Sequence, residues 1–203
     1  MVAKTISAIV AEAEQKGILQ KNGKDSLKWF AQKVRGVRAD AFELVSTQPT
    51  DRYRNTGNIG IGKMAVFAYD PKLKKKLPYY DTVPCIFIVN IMPEKKAFLG
   101  INLHYLPYKA RAVLLDELYE IENNSKIPMN KKLKVSWQVL QKFANFNLVK
   151  PCIKMYLFNH VRSKLVQIPY QEWSAVAMLP VSGGFAKKSA AQVWNDSMNQ
   201  GDK

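Results

Sequence analysis

The sequence is poor in the residue types that metal chemistry and disulfide scaffolds require. Its 203 residues include two histidines, His104 and His160, and two cysteines, Cys85 and Cys152. A histidine-rich zinc site is excluded on ligand number alone. Cys85 and Cys152 sit in apolar segments with no short spacing, so they are expected to be reduced, buried thiols rather than a disulfide framework or a metal clip. No apolar run approaches the roughly 18 residues of a membrane span. The first 17 residues alternate apolar positions with Glu12, Glu14 and Lys16 at helical spacing, unlike a signal peptide, so a soluble intracellular product is expected. Acidic residues are also scarce, with 16 Asp+Glu against 31 Lys+Arg. No internal repeat is present, and Lys74-Lys75-Lys76 is the nearest thing to a low-complexity tract.

What is present is positive charge on an ordinary globular background. The chain is 47% hydrophobic, enough for a packed core, and carries a net charge of +15. Residues 1–50, 51–80 and 131–203 carry +3, +5 and +8, while residues 81–130 carry −1. A near-neutral middle between basic flanks predicts a packed unit with basic outer surfaces. Polyanions are the expected partners, nucleic acid first and acidic protein or anionic membrane second.

The hydrophobic periodicity predicts an α+β chain: N-terminal helices over 1–45, an arm or connector at 46–62, a β core over 63–105 and a helical region over 106–203 packed on it as part of one domain. Ile6, Ile9, Val10 and Ala13 share a helix face that Gly17 terminates. A second helix starts near Asp25 or Ser26, with Leu27, Phe30, Val34, Ala41 and Leu44 inward. Met64–Tyr69 reads as a strand ended by the Asp70-Pro71 turn. Cys85–Met92 is almost wholly apolar, as for a strand covered on both faces. Pro93–Lys96 reads as a hairpin loop and Ala97–Tyr105 as the returning strand, giving a small, mostly antiparallel sheet or partial barrel. Pro107 suits the first turn of a helix with Val113, Leu114, Leu118 and Ile121 on one face. Leu133, Trp137, Leu140 and Ala144 mark another. Pro151 opens a third, with Ile153, Leu157, Val161, Leu165 and Ile168 inward. Tyr170–Leu179 is expected to hold a short helix, and Ala190–Met198 a last turn or two.

Catalytic motifs fail on context. Gly57–Lys63 has phosphate-loop spacing, but Met64 stands where a hydroxyl should hold magnesium, and a strand pattern follows where a helix N-terminus is needed. Glu94-Lys95-Lys96 has the E-x-K spacing of metal-dependent nucleases, with Asp81 upstream. Pro93, however, puts Glu94 on a hairpin tip, where a solvated charge is ordinary. Cys152 and His160 are eight residues apart, about two turns on one helix and too far for a thiolate–imidazole pair. His104 is expected to hydrogen-bond within the sheet. No Ser-His-Asp set or dinucleotide fingerprint appears, so the chain is expected not to be an enzyme, and neither a cofactor nor a metal is expected.

Affinity for DNA needs distributed Lys and Arg that neutralise phosphates. The candidate contacts are Lys72, Lys74, Lys75 and Lys76 in the turn, Arg52 and Arg54 in the arm, Lys131, Lys132 and Lys134 at a helix start, and Lys150, Lys154 and Arg162 along the next element. Lys187-Lys188 precedes the tail. Any one group alone reads as a solvated face; together with the net charge they favour a polyanion surface. Lysines at a helix start oppose the helix dipole, so residues 131–134 serve something other than helix stability. Tyr79-Tyr80, Trp29-Phe30, Trp137 and Trp173 could stack on bases, but their apolar surroundings favour core packing. Trp194, near the C-terminus, is the candidate protein-binding anchor.

Three stretches carry a family resemblance: GKMAVFAYDPKLKKKLPYYDTVPCIFIV (62–89), FLGINLHYLPYKARAVLLDELYE (98–120) and KPCIKMYLFNHVRSKLVQIPYQEW (150–173). With Ser26–Phe30, they resemble the DNA end protector proteins of T-even-like tailed phages over roughly residues 26–198. The departures are Thr82-Val83 after the LPYYD run and a short, acid-poor tail. The resemblance implies a virion protein that enters the filled head late, after assembly in the host cytoplasm, and guards the ends of packaged double-stranded DNA. It also implies contact with portal, neck or head-completion proteins at the head–tail junction. It implies no catalytic residues. Two other readings compete: a neck or baseplate adaptor whose basic surface meets acidic protein, and a nuclease using Asp81 and Glu94.

Overall fold

The computed structural model describes residues 5–17, 60–123, 125–126, 138–139, 149–163, 165–168, 173–177 and 185–201. The helix expected near Asp25, the helix of Leu133–Ala144 and nearly all of the arm lie outside them. α1, Ile6–Gln15, begins where the Thr5 side chain accepts from the Ala8 amide and ends at Gly17, whose φ of +65° few other residues adopt. Ile6, Ile9, Val10 and Ala13 are buried, as their spacing predicts. α2, Tyr108–Asn123, follows Pro107 and packs against α1. Asp116 of α2 accepts from the Ile6 amide at 2.6 Å, the Ser7 amide at 2.8 Å and the Ser7 hydroxyl. A carboxylate at a helix N-terminus satisfies orphan amides and is attracted by the positive end of the dipole, so this long-range cap fixes α1 on α2. Val113, expected inward, is 48% exposed; the buried arc of α2 is Arg111, Ala112, Leu114, Leu115, Leu118 and Ile121.

The main sheet is antiparallel throughout. Its strands are β1 (Met64–Val66), β3 (Cys85–Met92), β4 (Ala97–Asn102), β5 (Ile153–Leu157) and β6 (Val166–Ile168), in the order β5-β4-β3-β1-β6. β2 (Tyr80–Asp81) and β7 (Phe185–Ala186) form a separate two-stranded sheet. α3, Trp173–Val176, falls within the short helix expected there, and α4, Ala190–Gly201, runs for three turns rather than the one or two expected. No helix among the described residues is long and apolar enough to cross a membrane.

The eight-residue run read as a strand covered on both faces is β3, buried from Cys85 to Val89 and more open from Asn90, where the register shifts. Met64, Val66, Cys85, Phe87 and Ile101 face the core shared with α1, α2 and Trp173. Ala65, Phe67, Tyr69, Ile86, Ile88, Phe98 and Tyr156 form a second, aromatic core. Residues 158–163 close one end of it: His160 and Ala68 carbonyls accept from the Asp70 and Arg162 amides, and Tyr69 bridges to Val161. Both cysteines are buried thiols outside any disulfide, and burial raises both, Cys152 to about 12.

Two expectations are overturned. Residues 150–168 are not a helix: a turn at Lys150–Cys152 leads into β5, a second turn at Phe158–His160 follows, and the chain crosses to β6. Apolar residues four apart suit a helix, but four is also an even number, so they share one face of a strand equally well. The hydrogen bonds of β4 decide, since its outer edge is filled by Ile153–Leu157 in register from Ile101 to Ala97. β4 also stops at Asn102, because the Asn102 side chain accepts from the His104 amide and turns Leu103–Tyr105 into a 3-10 turn. Residues 60–63, the described part of the near-miss phosphate loop, are strand lead-in. Gly62 donates to Ile88 O and Ile88 to Lys63 O, at 2.7 and 3.0 Å, so this backbone extends β1 toward β3.

Two substitutions check this core. Ile88 is 1% exposed, so Ile88→Lys strands a charge among aromatics, and the protein should be recovered as insoluble aggregate. At Gly100 a Cβ would lie 2.5 Å from Ile86 Cδ1 and 2.9 Å from Ile86 Cβ, so Gly100→Ala should lower unfolding free energy by about 1–3 kcal/mol in urea melts.

Candidate nucleic-acid interface

The Asp70-Pro71 turn opens a tight loop of lysines. Lys74 N–H donates to Pro71 O, and the Lys76 and Leu77 amides donate to Leu73 O, a helical-type turn that splays the side chains of 72–76 outward. A second device holds it. Lys187, just after β7, has φ +76° and donates its ammonium to the carbonyls of Lys74 at 2.9 Å and Leu77 at 2.6 Å. β7 is itself paired to β2, so one short ribbon carries both the clamp and the Tyr79-Tyr80 stretch.

The lysines of the turn divide. Lys74 lies 2.9 Å from Asp70, which also meets Arg162 at 3.6 Å. The Lys74 hydrogen bond holds the Asp70 carboxyl below the usual carboxylate range and raises Lys74 in turn. Lys72, Lys75 and Lys76 are exposed and have no carboxylate partner among the described residues. The fold thus presents three uncommitted ammonium groups on a braced turn, with Arg162 beside it. Lys188 pairs with Asp196 at 2.7 Å.

The other sequence-predicted contacts distribute unevenly. Lys150 is exposed on the turn that leads into β5. Lys154 is half-buried on β5, its ammonium 4.2 Å from the centre of the Tyr105 ring, and burial lowers its pKa. Arg52, Arg54, Lys131, Lys132 and Lys134 lie outside the described residues. Trp194 is half-buried; its indole N–H donates to His104 O at 2.8 Å, and its ring meets Tyr108 edge-on at 5.0 Å. Trp173 is buried against Phe87.

Beneath the lysine turn is a feature that sequence reading misses, a cavity of about 610 Å³ between residues 69–81 and the β4–β5 edge. Its walls include Tyr79, Tyr80, Tyr105 and Tyr156, with Lys72 and Lys154 also lining it. The Tyr79-Tyr80 pair was the only available signal, since the rest is assembled from distant segments.

Asp81 and Glu94 do not make a nuclease site. Asp81 is 4% exposed, and its carboxylate accepts from the Val83 amide at 3.0 Å, Asn102 Nδ2 at 3.0 Å and His104 Nδ1 at 2.7 Å. Glu94 is exposed on the hairpin turn Pro93–Lys95. No group of three or more His, Cys, Asp or Glu among the described residues could hold a metal ion. His104 hydrogen-bonds as expected, though in the turn after the strand, and His160 Nδ1 is 2.8 Å from Asp70 O in a turn rather than on a helix.

A family model described as the Phage T4 terminal DNA protecting protein matches residues 2–197. The chain belongs to this family. Curated proteins and solved structures yield no match.

Asp81 gives the check. Asp81→Ala removes the acceptor of three donors, two of them buried side chains, each costing about 1–3 kcal/mol when unsatisfied. Urea unfolding should show a loss of about 3 kcal/mol or more. Wild-type stability in that variant would show that the carboxylate is held for some purpose other than the fold.

Proposed function

We propose that the chain binds duplex DNA at its ends through phosphate contacts, without reading base sequence, and protects those ends by occupying them. The reading places it in the virion, at the head–tail junction, with DNA ends and a portal, neck or head-completion protein as partners. Family membership supports DNA ends as the object. The observation that carries the mode of binding is the turn at 71–77. Lys187 braces its backbone and Lys74 pairs with Asp70, while Lys72, Lys75 and Lys76 are left for an external anion. Blocking an exonuclease this way needs affinity and bulk, and no activated water, nucleophile or metal. Phosphate contacts fix position without carrying base information, which suits a protein that must accept any terminus.

The test is exonuclease digestion of linear duplex with a salt titration of binding. With six or more contacts, affinity should fall by about 10³-fold or more between about 50 and 200 mM salt. The triple variant Lys72→Glu, Lys75→Glu, Lys76→Glu should weaken protection of every sequence about equally and flatten the log–log salt slope by about 0.9 per lost contact. The fold should survive, since exposed charges contribute little to stability. An unchanged slope and full protection would remove this turn from the interface. If wild type neither binds nor protects linear duplex at any salt, the adaptor reading, with an acidic protein on this surface, takes its place.

A further inference from the structure

Phosphate contacts alone cannot distinguish a terminus from the interior of a duplex, because the backbone charge is the same in both. The cavity beneath the lysine turn supplies the missing discrimination. Its volume of about 610 Å³ is that of a small-molecule site, and its walls are aromatic. Leu73 and Met155 also line it and are both 54% exposed, an apolar lip within a strongly basic surface. Lys72, from the lysine turn, belongs to the same lining.

The amide and the carboxylate of the cavity are already committed within the fold. Asn102 Nδ2 donates to Asp81 and to the Tyr156 hydroxyl, its Oδ1 accepts from the His104 amide, and Asp81 is filled by three donors. Lys154 is not committed in this way. Its half-buried ammonium rests over the Tyr105 ring and has no hydrogen-bond acceptor among the described residues. A cation held there wants a planar ligand with acceptor atoms, and Lys72 wants an anion attached to it. A nucleotide has all three features.

We propose that this cavity receives the terminal nucleotide of a DNA strand, its base lying among Tyr79, Tyr80 and Tyr105 with an acceptor atom toward Lys154, and its phosphate toward Lys72. The inference rests on the function proposed above and adds to it the means of recognising an end. A base must leave the stack to enter, which costs least where pairing is weakest, and a terminal pair has a stacking neighbour on one side only. Every base has a π face and at least one acceptor, a ring nitrogen or a carbonyl oxygen, so stacking with a single mobile donor tolerates any sequence. A fixed fork of donors and acceptors would select one base, and the committed state of Asn102 and Asp81 withholds such a fork.

The experiment compares the full chain bound to a short blunt duplex and to the same duplex closed at both ends by hairpin loops, at one salt concentration. The open form should bind about tenfold tighter or more, the range that one lost base–aromatic stack spans. Tyr80→Ala and, separately, Lys154→Met should bring the open-to-closed ratio toward unity. Lys75→Glu with Lys76→Glu should weaken both forms and keep the ratio. A terminal 5-iododeoxyuridine should photocrosslink to the peptide containing Tyr79-Tyr80 or Tyr105, and the same label at the centre should not. Lys154→Met keeps the apolar stem, so it answers the question even if Tyr80→Ala does not fold. Equal wild-type binding to open and closed duplex overturns the proposal while leaving phosphate binding standing, as does a ratio unchanged in both variants. A free mononucleotide that binds as tightly as the open duplex overturns it by moving the ligand off the DNA. Failure to bind either duplex overturns the function proposed above, and this inference with it.

Discussion

Asp81 is a carboxylate almost without solvent contact, and the arrangement of the rest follows from how it is satisfied. A buried anion is tolerable only when donors surround it, and three converge here: the Val83 amide, the Asn102 amide group and the His104 imidazole. They come from two stretches of backbone, residues 81–83 and 102–104. The contact to Val83 turns the chain from β2 into β3, and Asn102 is the last residue of β4. His104 sits in the turn before α2. The Asn102 side chain also reaches the Tyr156 hydroxyl on β5, so the node ties the sheet to the segment that carries Tyr79 and Tyr80. Burial of this polar cluster costs stability, and in return it fixes one relative position for four segments.

A second buried charge completes the frame. Arg111 is fully buried; burial lowers its pKa to about 10, which leaves it protonated at neutral pH, and Asp81 is one of the groups that favour its charged form. Its guanidinium donates to Leu106 O and His104 O and lies over the rings of Tyr108 and Trp194. The Trp194 indole donates to the same His104 carbonyl. The C-terminal segment is thus pinned twice: by α4 on the His104 turn and by β7 on β2. Lys187 lies between these anchors, which is why a flexible side chain can serve as a clamp on the lysine turn. Trp194, offered by the sequence as a grip on another protein, spends its hydrogen bond on this frame.

Legibility in the sequence tracks how local each signal is. β3 announces itself because eight consecutive apolar residues suit a strand covered on both faces, and the Asp70-Pro71 and Pro93–Lys96 turns carry their own chemistry. α1 is equally clear, with a single apolar face and a terminating glycine. β5 is not. It is an edge strand in which the apolar Met155 is open and Tyr156 beside it is buried, so the hydropathy of the sequence does not follow the alternation of burial, and the four-residue spacing carries on into later elements as if one helix were running. That misreading moved Lys154 and Arg162 onto a common helical face. In the fold Lys154 lines a cavity and Arg162 pairs with Asp70. Asp81 was visible only as a lone carboxylate, because its three partners are defined by tertiary contacts. The cavity was invisible for the same reason, being built from segments as far apart as residues 69 and 157.

The distribution of charge then acquires a physical sense. A net charge of +15 on 203 residues works against compaction by self-repulsion. The fold relieves this only in part: Lys74 and Arg162 share Asp70, Lys188 meets Asp196, and Lys109 meets Glu14. Among the described residues no carboxylate pairs with Lys72, Lys75 or Lys76. Had they been, a polyanion would need to displace them, and most of the electrostatic gain on binding would be lost to breaking internal pairs. Leaving the ammoniums uncommitted costs native-state stability and keeps that gain for the partner. The braces from Lys187 and Asp70 act on the other side of the same balance, since a turn already held in place loses less freedom when its ligand arrives. On the proposed reading, protection by occupancy, both effects act in one direction, because such a protein's effect lies in how long it stays.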